Sequence, residues 1–143
     1  MVKHQQQPTY NTCMSACVAM VASIPVEDAV NRWHDSFHQK TDWLDDALDF
    51  YKISYFYGHP KRYELLYGFI YFLSVPSLNI TGGLHQILVS LPSEGNIKVF
   101  DPVMGRENAK YYVYGKPNSE AEVELTSWVI DLAIPLMTVG GGE

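Results

Sequence analysis

Two cysteines, four residues apart, are all that this 143-residue chain contains, and that scarcity excludes a disulfide framework. Cys13 and Cys17 would share one helix face, where local geometry strains any bond between them, so both are read as thiols. Cationic side chains are also few, 10 Lys and Arg against 16 Asp and Glu, for a formal charge of −6. They are scattered along the chain, which argues against a basic face for nucleic acid or anionic lipid. No apolar run reaches the roughly 18–20 residues that span a bilayer, and the longest, residues 67–78, is broken by Pro76. The stretch before Cys13 lacks the apolar core of a secretory signal, so a cytoplasmic location is the default expectation. Internal repeats are missing too, and the glycine-rich end, 139–143, reads as a flexible tail.

What is present is apolar and aromatic. Hydrophobic residues make up 47% of the chain, with 10 Tyr, 6 Phe and 3 Trp, enough for one core in a chain of single-domain length. From Cys13 to Ser23 apolar and small residues recur at helical spacing, with Asn11 or Thr12 placed to cap the start. Pro25 opens a second helix with Glu27 and Asp28 in its first turn, running toward Trp33 and Phe37. Leu44, Ala47, Leu48 and Tyr51 mark a third. After Lys52 the texture changes to short β-branched and aromatic runs: ISYFY, FIYFLSV, HQILVSL, NIKVF, YYVY and WVIDLAI. The fold expected is α+β, helices first and an antiparallel sheet after. Residues 59–68 fit either a short helix or a loop. Tyr55, Phe56, Tyr57, Tyr63 and Tyr67 are expected in the sheet and core, with a groove for apolar side chains as the alternative.

The chemistry concentrates around the stretch QQQPTYNTCMSACVAM, residues 5–20, where a polar run turns abruptly into a helix at Cys13. The oriented amides of a helix start favour a thiolate over a thiol, and the thiolate is the nucleophile. Such a nucleophile needs a base held by a third group. His85 follows two glycines and begins an apolar strand; Asp101 ends the next strand before Pro102. If PSEG, residues 92–95, turns a hairpin, the point midway between His85 and Asp101 is position 93, inside that turn. The two side chains are therefore expected opposite one another at the hairpin's open end. Cys17, one turn behind Cys13 on the same face, is expected in the core.

The patterns Q-P-T-Y-N-T-C at 7–13, G-L-H-Q-I-L-V at 83–89 and V-F-D-P-V-M-G at 99–105 together resemble the papain-like cysteine peptidases. The similarity is greatest to the small bacteriocin-leader-processing (double-glycine) type and its soluble relatives, and it covers residues 5–106. The resemblance implies a papain-like fold with the nucleophile at a helix start. It implies Cys13 as nucleophile, His85 as general base, Asp101 as orienting acid and Gln7, six residues before the cysteine, as oxyanion-hole donor. Gln5 and Gln6 compete with Gln7, and spacing alone favours the last. The interval between Cys13 and His85, 72 residues (85 − 13), is far shorter than the roughly 130 or more in papain and the cathepsins. Met14 stands where the family has glycine, which is expected to narrow the site.

The function expected is a thiol hydrolase cleaving a peptide or isopeptide-type bond through an acyl-enzyme, with a peptide or protein substrate and no metal or organic cofactor. Two other classes stay open: an acyltransferase of transglutaminase-like chemistry using the same triad, and a non-catalytic protein-binding module on the same fold. The run HDSFH at 34–38 sets two histidines at i and i+4. Its acid is Asp rather than the longer Glu of a zinc hydrolase and no third ligand follows, so it is read as a solvated helix end.

Overall fold

A computed structural model describes residues 2–59 and 61–136; the expected tail at 139–143 lies outside them. Three helices come first, α1 Cys13–Ala22, α2 Val26–Gln39 and α3 Leu44–Phe50. Seven strands follow, β1 Phe56–Tyr57, β2 Phe69–Pro76, β3 Leu84–Leu91, β4 Lys98–Phe100, β5 Tyr111–Val113, β6 Glu122–Glu124 and β7 Val129–Pro135. The architecture is α+β, the helices packing on an antiparallel sheet of order β1-β7-β2-β3-β4. Among the described residues no helix is long and apolar enough to cross a membrane.

Each helix ends for a local reason. Ser23 adopts the left-handed conformation at the end of α1, and its N–H bonds back to the Ala19 carbonyl. Lys40 closes α2 in the same way. Pro25 precedes the first residue of α2, where its missing N–H costs nothing. At the start of α3 the Asp46 carboxylate accepts the Trp43 N–H at 2.9 Å.

The near-continuous apolar runs of the central strands are explained by burial on both faces. Ile70 and Phe72 of β2 and Leu88 of β3 face the helices, packing with Ala16, Met20, Leu44 and Leu48. Tyr71, Leu73 and Val75 of β2, with Ile87 and Val89 of β3, face the other way and meet Tyr112 and Leu125. The sheet is thus a shared wall between two apolar layers.

Three expectations are corrected. The run ISYFY forms only the two-residue edge strand β1, paired with β7. YYVY does not extend the main sheet: β5 pairs in parallel with β6, a strand not foreseen, in a separate two-stranded sheet. Its two short segments gain their apolar contacts from Tyr112, which packs on the second layer. Of the two alternatives left open for 59–68, the loop is the one found, residues 59 and 61–68 forming neither helix nor strand. The aromatics placed in the core are largely outside it: Phe56 is 61% exposed, Tyr57 62%, Tyr63 66% and Tyr67 50%. They belong to the sheet's edge strand and the loop beside it, Tyr57 meeting the Tyr55 ring edge-on and donating its hydroxyl to Asp45.

β7 carries a bulge. Phe72 pairs with Leu132 while Leu73 pairs with Ile130, so Asp131 is the extra residue. Its carboxylate accepts the Ser74 hydroxyl at 2.6 Å and the Gln86 amide at 3.1 Å. Burial pushes the Asp131 carboxyl above its ordinary range, and those two hydrogen bonds work in the opposite direction.

Candidate active site

Cys13 is the first residue of α1 and is partly exposed. The turn before it is tied internally: the Thr12 hydroxyl accepts the Thr9 N–H at 3.1 Å and donates to the Thr9 carbonyl at 3.0 Å. Thr12 therefore occupies the cap position without capping, since its hydroxyl is engaged behind the helix. The N–H groups of the first turn are left without intrahelical partners, as at every helix start. Met14, expected to narrow the site, is partly buried against the helical layer of the core. Cys17 is fully buried, as expected, and its thiol donates to the Gln86 carbonyl at 3.5 Å. Burial pushes that thiol far above the ordinary range, and the charges of Cys13, Asp101 and Asp131 add to the effect.

His85 and Asp101 meet at the far end of the β3–β4 hairpin, where His85 Nε2 donates to Asp101 Oδ1 at 2.6 Å. The register differs from the expected one. Leu88 faces Phe100 and Ser90 faces Lys98, so the hairpin is centred on position 94, and His85 and Asp101 are diagonal neighbours rather than directly opposed. The cause lies in the turn: the Asn96 N–H bonds to the Ser93 carbonyl and its side chain to the Ser93 hydroxyl, which takes Asn96 out of the strand. Diagonal pairs remain on one face of a sheet and within reach of long side chains.

Asp101 is 2% exposed, and both its oxygens accept hydrogen bonds. Oδ1 also accepts the Val103 N–H at 3.0 Å and Oδ2 accepts the Tyr112 N–H at 2.8 Å. Three donors fix the carboxylate, and the carboxylate fixes the ring. With Nε2 held, the Nδ1 side of the imidazole is the one available to a reacting group. Burial disfavours the charged ring, yet the hydrogen bond and charge of Asp101, together with the Cys13 sulfur, outweigh it and raise the His85 pKa to about 9. Cys13 is the second group, after Asp101, that favours the charged ring.

Gln7, 1% exposed, is fastened by its backbone: its N–H donates to the Pro102 carbonyl at 2.8 Å and its carbonyl accepts Arg106 Nη1 at 3.3 Å. The His4 ring donates to the Asp101 carbonyl at 2.9 Å. Residues 4–7 therefore form a strap against the 101–106 loop. The three glutamines take different places. The Gln5 side chain bridges the Ile24 carbonyl and the Val26 N–H at the start of α2, and Gln6 is exposed. Only Gln7 shares a cavity with His85. Its side-chain amide donates one N–H to the Thr9 carbonyl at 2.7 Å, which leaves the second N–H for another acceptor. Its Oε1 is buried with no partner among the described residues.

The cavity, about 270 Å³, is bordered by Gln7, Tyr10, Ile80, His85, Val103 and Arg106 among others. A larger recess of about 530 Å³, between Lys3 and Pro25, contains none of the proposed catalytic residues. His34 and His38 lie side by side on α2 with ring centroids 6.1 Å apart, and among the described residues no group of three His, Cys, Asp or Glu is placed to hold a metal. The roles of His4 and Arg106 had no sequence signal: both act on backbone carbonyls about a hundred residues away. Comparison with protein-family models, with curated proteins and with solved structures found no match to this chain.

Proposed function

We propose that the protein is a papain-like cysteine peptidase, a thiol hydrolase that cleaves a peptide or isopeptide bond. The observation that carries this reading is the buried Asp101 carboxylate holding His85 by Nε2 at 2.6 Å, beside a cysteine at the first position of a helix. A ring that keeps its proton to about pH 9 is an imidazolium at neutral pH, and a neighbouring thiolate is its natural counter-charge.

In the reaction, the Cys13 sulfur attacks the carbonyl carbon and forms a C–S bond. The carbonyl oxygen takes up negative charge, and the free N–H of Gln7 and the Cys13 backbone N–H are the donors offered to it, each such donor contributing on the order of 3–4 kcal/mol. The C–N bond breaks as imidazolium hydrogen passes to the leaving amine. Water, deprotonated by His85, then attacks the thioester, releasing the carboxylic acid and restoring the thiol.

Alkylation by iodoacetamide at pH 7, read by peptide mass spectrometry, tests the reading without knowledge of the substrate. Cys13 is expected to react at least about tenfold faster than free cysteine, and His85→Ala to remove the excess rate. Reaction of Cys13 no faster than free cysteine would sink the proposal. In a working enzyme, the partition of the acyl-enzyme between water and added amine distinguishes hydrolysis from acyl transfer.

A further inference from the structure

The cavity beside His85 holds an uncommitted cation. Arg106 uses one N–H, a 3.3 Å bond to the Gln7 carbonyl, of the five that a guanidinium carries. Among the described residues it forms no ion pair, the His85–Asp101 contact being the one ion pair found there. That is uncommon company for an arginine in a chain with 16 acids and 10 bases.

Most of the other polar groups around the cavity are committed, the second N–H of Gln7 and the exposed Asn108 side chain excepted. Asn79 is locked to the Lys110 backbone through both side-chain atoms, at 2.8 and 2.9 Å. The Ser77 hydroxyl accepts the N–H groups of Asn79 and Ile80. Asp101 is buried and held by three donors. Glu107 borders the same space but is exposed and lies beyond ion-pair distance of Arg106. Besides that Gln7 N–H, the cavity offers a ligand a planar, permanently charged donor fork, with His85 and Tyr10 on the same border. The complementary group is a carboxylate, which pairs with a guanidinium through two parallel N–H···O bonds.

We infer that Arg106 is a specificity residue, selecting substrates that carry a carboxylate close to the carbonyl that Cys13 attacks. The inference rests on the hydrolase reading above and adds the substrate's charge to it. Arg106 also steadies Gln7, so a test must separate the charge from the clamp.

Iodoacetate and iodoacetamide make that separation, because they differ in charge but hardly in size; with either, the thiolate displaces iodide and forms a C–S bond. In the intact protein the ratio of iodoacetate to iodoacetamide rate at Cys13 is expected to fall about threefold or more in Arg106→Gln, because a cation on the cavity that His85 borders favours the anionic reagent. Arg106→Lys, which keeps the charge, is expected to retain most of the ratio, and far-UV circular dichroism confirms that each variant is folded. A purely structural Arg106 would slow both reagents alike in Arg106→Gln and leave the ratio unchanged, which overturns the proposal. Should Arg106→Gln fail to fold, the same ratio in Arg106→Lys and its loss with rising salt in the wild type decide the matter; a ratio indifferent to both overturns it. Slow reaction of wild-type Cys13 with iodoacetamide removes the hydrolase reading and this proposal with it. Rapid reaction with an unchanged ratio removes this proposal alone.

Discussion

Replacing Asp101 by Asn should move the His85 proton. In the folded protein the ring sits at about 9 against an ordinary 6.5, which corresponds to about 3 kcal/mol of added preference for the imidazolium. Burial acts against that preference, so the favourable part comes from Asp101 first and Cys13 second. Because the folded ring binds its proton more tightly than the unfolded one, this stabilisation is complete below pH 6.5 and is lost as pH rises through about 9. In Asp101→Asn the carboxylate charge is gone and burial prevails, so the ring should titrate at least one unit lower and the loss of stability between pH 6.5 and 9 should flatten. The new amide also sets an NH2 group against the donors of Val103 or Tyr112, costing about 1–3 kcal/mol at every pH. Imidazole C–H resonances followed by NMR give the titration, and urea unfolding at pH 6 and pH 9 gives the stability. Repeating both in a Cys13→Ala background keeps the thiol's own titration out of the curve. A wild-type His85 that titrates at or below 6.5, or an Asp101→Asn ring that stays near 9, would refute the reasoning.

Gln7→Ala should lower kcat by about 10²–10³ with a much smaller change in KM if its free N–H serves the oxyanion; equal rates in the two proteins would remove Gln7 from the mechanism. Gly58→Ala should destabilise the protein by about 1–3 kcal/mol, since a Cβ there would collide with the Ile130 carbonyl oxygen and force β1 from β7. Thermal unfolding reads this directly, and a melting temperature equal to wild type would show that β1 contributes nothing.

Local periodicity was enough to place the three helices and the central strands, because burial on one helix face or both sheet faces leaves a direct imprint on residue type. The meeting of His85 with Asp101 was legible for a similar reason: a hairpin relates two distant positions by counting. The count was off by one at the hairpin centre because Asn96 prefers a side-chain bond to Ser93 over a place in the strand, and sequence alone does not rank those alternatives. The parallel pairing of β5 with β6 was illegible, three-residue strands being too short to show a period. Asp131 left a trace, a lone acid within an apolar strand, but only the bulge in β7 explains how it is tolerated. The exposure of Phe56, Tyr57, Tyr63 and Tyr67 depends on which strand forms the sheet's edge, a property of the whole topology.

The second oxygen of Asp101 points to one further consequence. It takes the N–H of Tyr112 in β5, while the Tyr112 hydroxyl reaches the Pro76 carbonyl at the end of β2 at 2.6 Å. The small sheet is therefore tied to the acid of the proposed triad, and through it to the ring. An insertion between Val113 and Glu122, or a molecule gripping that ribbon from outside, would rotate a carboxylate rather than merely disturb a surface loop. Control over the imidazole's proton could be exerted from β5 and β6 without anything entering the cleft.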